Sequence, residues 1–118
     1  MKPYARAERV GEEIQKVLSV LLQKEIRDPR LALIVITGVK MSRDLKFASI
    51  YYSVSGGDME SQKQAELGFT SAKGFVKKEL AARLGLRYMP ELRFFYDESF
   101  DYGERIEHLL KSIETNDG

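Results

Sequence analysis

The apolar pattern of the chain predicts an α+β fold. A two-layer sandwich is expected, with a three-stranded sheet packed by helices, in the order helix, strand, strand, helix–break–helix, strand, helix. Three observations carry this. Val10, Ile14, Val17, Leu18, Leu21, Leu22 and Ile26 recur at spacings of three and four, the stripe of an amphipathic helix. Ala48, Ile50, Tyr52 and Val54 alternate with Ser49 and Ser53, as in a strand with one buried face. A second helical stripe, Phe69, Ala72, Val76, Leu80 and Leu84, then leads to a strand whose Leu92, Phe94 and Tyr96 share one face. Three strands must bury one side of their sheet, and the helices are the available cover.

Each element has its own start and stop signals. Asp28-Pro29 ends the first helix, because the residue before proline avoids the helical region. Leu33 to Met41 is β-rich, and its apolar phase shifts near Thr37-Gly38, where a bulge is expected. Ser42-Arg43-Asp44 reads as a tight turn, making the first two strands a hairpin. Ser55-Gly56-Gly57-Asp58 opens the second helical stretch, Met59 to Leu84, and Gly85 is placed to cap its end. Ala72-Lys73-Gly74 is read as a kink in that stretch, since glycine inside a helix costs roughly 0.5–1 kcal/mol relative to alanine. Asp101-Tyr102-Gly103-Glu104 has the spacing of a capping box for a last helix striped by Ile106, Leu109, Leu110 and Ile113. The chain reads as a single domain of 118 residues, with about 1–8 and 114–118 expected to be flexible.

Composition narrows the function classes. Apolar content of 43% and charged content of 31% describe an ordinary globular protein. Without cysteine there is no disulfide, no thiolate metal site and no thiol nucleophile, which fits the cytoplasm. The N-terminus lacks the apolar core of a signal peptide, and the run Leu31 to Ile36 is far too short to span a bilayer, so no membrane is expected. The net charge of +1 hides a division. Lys73, Lys77, Lys78, Arg83, Arg87 and Arg93 face only Glu79 and Glu91 in their stretch, whereas the last 22 residues are acidic. Such clustering makes a local anion-binding face on a nearly neutral protein; a solvated helix face is the plainer reading of the same lysines.

Catalytic constellations are missing. His108 is the single histidine and has no partner for a metal site. Asp97, Glu98, Asp101 and Glu104 form an acidic cluster that could hold a magnesium ion, but such residues more often cap a helix. Phe47, Tyr51, Phe94, Phe95 and Tyr96 could stack bases on a sheet. Phe94 and Tyr96 are better read as core, with Tyr51 and Phe95 on the opposite parity. No enzyme activity, metal or cofactor is expected.

The element order and the broken helix resemble a type II KH domain, an RNA-binding fold. That fold carries a G-x-x-G loop at the break, where backbone approaches phosphates. Here the loop is replaced by Ala72-Lys73-Gly74, a substitution that resembles the bacterial ribosome-binding factor A family. Arg9-Val10, Asp28-Pro29-Arg30, Met41-Ser42-Arg43-Asp44-Leu45, Ala48 with Tyr51, Pro90-Glu91-Leu92-Arg93-Phe94, Tyr96-Asp97 and Ser99 are similar to the same family, in order. The resemblance implies a monomeric, non-enzymatic assembly factor that binds the free or immature small (30S) ribosomal subunit and its 16S rRNA. It implies support of late maturation and 5′-end processing, notably in the cold, with ribosomal proteins and other assembly factors as neighbours. The residues expected to meet RNA are Lys73, Gly74, Lys77, Lys78, Arg83 and Arg87, with Arg9, Arg30 and Arg43 widening the footprint; Arg6 could join them. An adapter that docks on proteins through its helices, without touching RNA, is the alternative.

Overall fold

In the computed structural model, residues 3–99 are described, and side chains from residue 5 onward. The predicted last helix, with His108, Asp101 and Glu104, lies outside the described residues.

Helix α1 spans Pro3–Val20. Its first turns place Ala7 in the core. Ala7, Val10, Ile14, Leu18 and Leu21 make one buried stripe. At Gly11 the helix lies against the sheet so closely that an added Cβ would come within 2.9 Å of the Val39 carbonyl oxygen. The last turn, Leu21–Glu25, widens into a π-turn, closed by Ile26 N–H donating to the Leu21 carbonyl at 2.8 Å. Asp28 then caps a short 3-10 turn at Pro29–Leu31.

Strands β1 (Ile34–Met41) and β2 (Phe47–Val54) pair antiparallel. The register passes from Ile36 opposite Tyr52 to Gly38 opposite Tyr51, so Thr37 is the extra residue of a bulge. This is why Ile34 and Ile36 face inward before it and Val39 and Met41 after it. The turn between the strands is held by Asp44, whose Oδ1 accepts from Ser42 Oγ at 2.7 Å and from Lys46 N–H at 3.0 Å. Ala48, Ile50, Tyr52 and Val54 are buried as their alternation requires. Ser53, expected on the open face, is also buried; its hydroxyl donates to the Tyr96 hydroxyl at 3.5 Å.

Helix α2 runs unbroken over Met59–Leu84. The two helices expected on either side of Ala72-Lys73-Gly74 are therefore one. Glycine's helix penalty is small beside the burial of Phe69 before it and of Val76 and Leu80 after it. An added Cβ at Gly74 would meet nothing within 4 Å, so no packing contact explains this glycine. Gly68 is the contrary case, since a Cβ there would sit 2.9 Å from the Leu31 side chain. Gly85 ends α2 in the left-handed region, φ +60°, as a helix C-cap glycine should.

Strand β3 (Glu91–Tyr96) lies parallel to β2, giving the sheet order β1-β2-β3 with α2 as the crossover. Leu92, Phe94 and Tyr96 share the helix-covered face. The centre of the core is aromatic. Phe69 stacks on Phe94, centroids 4.4 Å apart, and tilts against Tyr52 at 4.7 Å. The observed architecture is thus the α+β sandwich expected, with one long helix where two were anticipated.

Asp58 begins α2, its Oδ1 accepting from Ser61 N–H at 2.8 Å. That hydrogen bond holds its carboxyl below the usual range, and Asp28 and Asp44 are lowered by their own bonds. A lowered carboxylate contributes stability in full above its ordinary value of about 3.9 and loses it as pH falls through the lowered value. Thermal melts between pH 6 and 2 are expected to show a steep acid limb. Asp58→Asn, which can still cap but cannot titrate, should flatten it; an identical limb in the variant would show that this cap has no part in acid unfolding.

Candidate nucleic-acid interface

The cations singled out from the sequence fall into two groups. Three are held by acids. Arg30 grips Asp28 two-pronged, Nε to Oδ1 at 3.0 Å and Nη2 to Oδ2 at 2.7 Å, while its own N–H donates to Oδ1 at 2.9 Å. Those side-chain bonds, then the backbone one, hold the Asp28 carboxyl below the carboxylate range, and the side-chain bonds raise Arg30. Arg83 reaches back to the end of α1, 2.6 Å from Glu25, with Glu79 of its own helix at 3.4 Å. Lys73 leans on the start of β3, 3.7 Å from Glu91.

The others have no ion pair among the described residues. Lys77 follows Lys73 by one turn on the same side of α2 and is half-buried. Lys78 leaves the helix about 100° further round and is exposed. Arg87, past the Gly85 cap, sits with its guanidinium 5.4 Å from the Tyr88 ring centroid. Arg43 is exposed in the β1–β2 turn, and Arg9 and Arg6 are exposed on α1. Gly74 is exposed between Lys73 and Lys77. Phosphate can therefore meet Lys77, Lys78 and Arg87 without displacing a carboxylate of the described residues, whereas Arg30, Arg83 and Lys73 would first have to be freed. Sequence reading missed Lys40 on β1, whose outward direction is set by the bulge at Thr37. The apolar phase shift was the available signal.

Asp97 accepts from Thr37 Oγ1 at 2.7 Å through Oδ2 and from Ser99 N–H at 3.0 Å through Oδ1. Among the described residues no group of three or more His, Asp or Glu is placed to hold a metal ion. No described helix is long and apolar enough to cross a membrane.

A family model described as ribosome-binding factor A matches residues 6–110 of the chain. The chain belongs to the ribosome-binding factor A family. The Desulfatibacillum aliphaticivorans ribosome-binding factor A is 56% identical over 115 residues, 96% of this chain and 91% of that protein. The solution NMR structure of a Thermotoga maritima ribosome-binding factor A is 35% identical and superposes with a TM-score of 0.68, covering 80% of this chain and 90% of the other. Also similar, at 25% identity and a TM-score of 0.51, is a homology model of the Thermus thermophilus ribosome-binding factor A fitted into the cryo-EM map of a 30S–RbfA complex; it covers 81% of this chain and 92% of its own. Within this family fold, the altered loop of the sequence is an uninterrupted stretch of α2, followed by half-buried Lys77 and exposed Lys78.

Proposed function

We propose that this protein is a non-catalytic assembly factor that binds the free or immature small ribosomal subunit through phosphates of 16S rRNA. The observation that carries the reading is the family match across the whole described fold, joined to a side of α2 where Lys77 and Lys78 have no acid partner among the described residues. The Thermus thermophilus relative fitted into a 30S complex supports the same partner. Supporting late maturation and 5′-end processing of 16S rRNA, notably in the cold, belongs to this proposal, as do a monomeric state and a cytoplasmic location. A protein that binds one rRNA arrangement better than the mature one shifts the population toward it, with no chemical step.

Lys77, Lys78 and Arg87 neutralise phosphates, and Arg43 and Arg9 extend the contact. Gly74 brings backbone close between Lys73 and Lys77. Because nothing in the fold fills the space at Gly74, Gly74→Ala is expected to raise stability by about 0.5–1 kcal/mol and yet to weaken subunit binding. Melting curves and co-sedimentation read the two effects separately; a more stable variant with undiminished affinity would take Gly74 out of the interface. The function itself is tested by sedimenting cell extract. Co-migration with free small subunits and not with translating ribosomes is the expected result. Absence from every ribosomal fraction would overturn the reading.

A further inference from the structure

The sheet face turned away from α1 and α2 carries a second set of rings and cations. In the sheet register Tyr51 lies between Gly38 on β1 and Phe95 on β3. The Tyr51 and Phe95 rings stack, centroids 5.6 Å apart and planes 30° apart. One row along, Ser49 lies between Lys40 and Arg93. The Arg93 guanidinium covers the Phe47 ring, 4.4 Å from its centroid. Phe47 and Phe95 keep 38% and 43% of their surface exposed, in a fold whose helix-facing aromatics are largely covered. Gly38 leaves bare backbone beside the Tyr51 ring, and a Cβ there would meet no atom within 4 Å.

We propose that this face is a second RNA contact, a platform on which unpaired bases stack against Tyr51, Phe95 and the Arg93–Phe47 pair. The proposal rests on the reading of the chain as an rRNA-binding factor and adds a binding mode to it. Rings supply sequence-tolerant stacking, and a guanidinium plane is itself a stacking surface. The charge favours a polyanion: Lys40 and Arg93 are set among the rings, Glu91 is engaged by Lys73 at 3.7 Å, and Asp97, just past β3 on the same parity, accepts from Thr37 Oγ1 at 2.7 Å. The gap over Gly38 gives a base room to lie beside Tyr51. A phosphate-led contact on α2 and a stacking contact on the sheet would hold folded rRNA and an adjoining single strand together.

The two modes separate by their salt dependence, because phosphate neutralisation sets the slope of affinity against salt and stacking does not. Binding of a fluorescein-labelled single-stranded oligoadenylate decamer and co-sedimentation with purified small subunits should be measured for the full chain and three variants. Tyr51→Leu/Phe95→Leu is expected to lose about tenfold or more in oligonucleotide affinity with an unchanged salt slope. Gly38→Thr, whose Cβ would meet no atom within 4 Å and whose φ lies outside the left-handed region, should reproduce part of that loss. Lys77→Glu/Lys78→Glu should lower the slope. Unchanged oligonucleotide affinity in both sheet variants would overturn the proposal. So would loss of subunit binding with intact oligonucleotide binding, which would give the face to a ribosomal protein. Should the double variant fail to fold, Gly38→Thr decides. Failure of the unaltered chain to bind subunits would remove the proposed function, while the oligonucleotide series would still read the platform.

Discussion

Phe69→Ala is expected to cost about 3–5 kcal/mol, the range for emptying a buried phenylalanine site, and to lower the melting temperature by at least ~12 °C. Phe69 is 2% exposed and has an aromatic ring on each of two strands as neighbour, Phe94 at 4.4 Å and Tyr52 at 4.7 Å. Removing it strands both rings over a cavity between α2 and the sheet. Phe95→Ala is the control. It lies one residue from Phe94 on the opposite face, where losing its stacking on Tyr51 should cost less than about 1 kcal/mol. Urea unfolding followed by circular dichroism gives both values. Equal costs would mean that the strand faces are assigned the wrong way round, since a one-residue slip exchanges them.

The largest functional effect is expected from Lys77→Glu/Lys78→Glu. Two phosphate contacts would become repulsions, so affinity for purified small subunits should fall at least about tenfold near 0.1 M salt. The log–log salt slope should fall by roughly one for each lysine removed. Stability should change little, because these lysines make no ion pair among the described residues. Arg30→Ala makes the contrast. Its guanidinium is already bound by Asp28 at 2.7 Å, so the substitution should loosen the turn before β1 and leave the salt slope near its original value. An unchanged slope in the lysine variant would move the rRNA contact off α2.

Local pattern carried much of the fold. The alternation from Ala48 to Val54 has one solution in a sheet with a single buried face, and the parity shift around Thr37 announced the bulge that the register contains. Gly85 was readable as a cap because a residue at φ +60° just after a helix is nearly always glycine. The break into two helices expected at Ala72-Lys73-Gly74 is absent for an equally physical reason. A local penalty of about 1 kcal/mol weighs heavily in an isolated segment and lightly in a helix anchored by buried side chains on both sides. Ser53 escaped because its burial, at 1% exposure, is set by segments far away in the chain, Tyr96 among them.

The candidate interface divides along the same line. Which residues are cationic, and that Lys73, Lys77 and Lys78 crowd one helix, is written in the chain. Which of them can accept a phosphate is not. Arg83 is bound by Glu25, 58 positions earlier, and Lys73 by Glu91 on the next strand. By itself the sequence determined the layers, the inward residues and the family, because side-chain period and turn chemistry act over a few neighbouring residues. Only the tertiary structure decided that α2 is continuous, that Arg30, Arg83 and Lys73 are held by acids while Lys77 and Lys78 have no acid partner among the described residues, and that Tyr51, Phe95 and Arg93 share one open face. Electrostatic pairing and ring stacking depend on distances of a few ångströms between segments far apart in the chain, and those distances exist only once the sheet and its helices have packed.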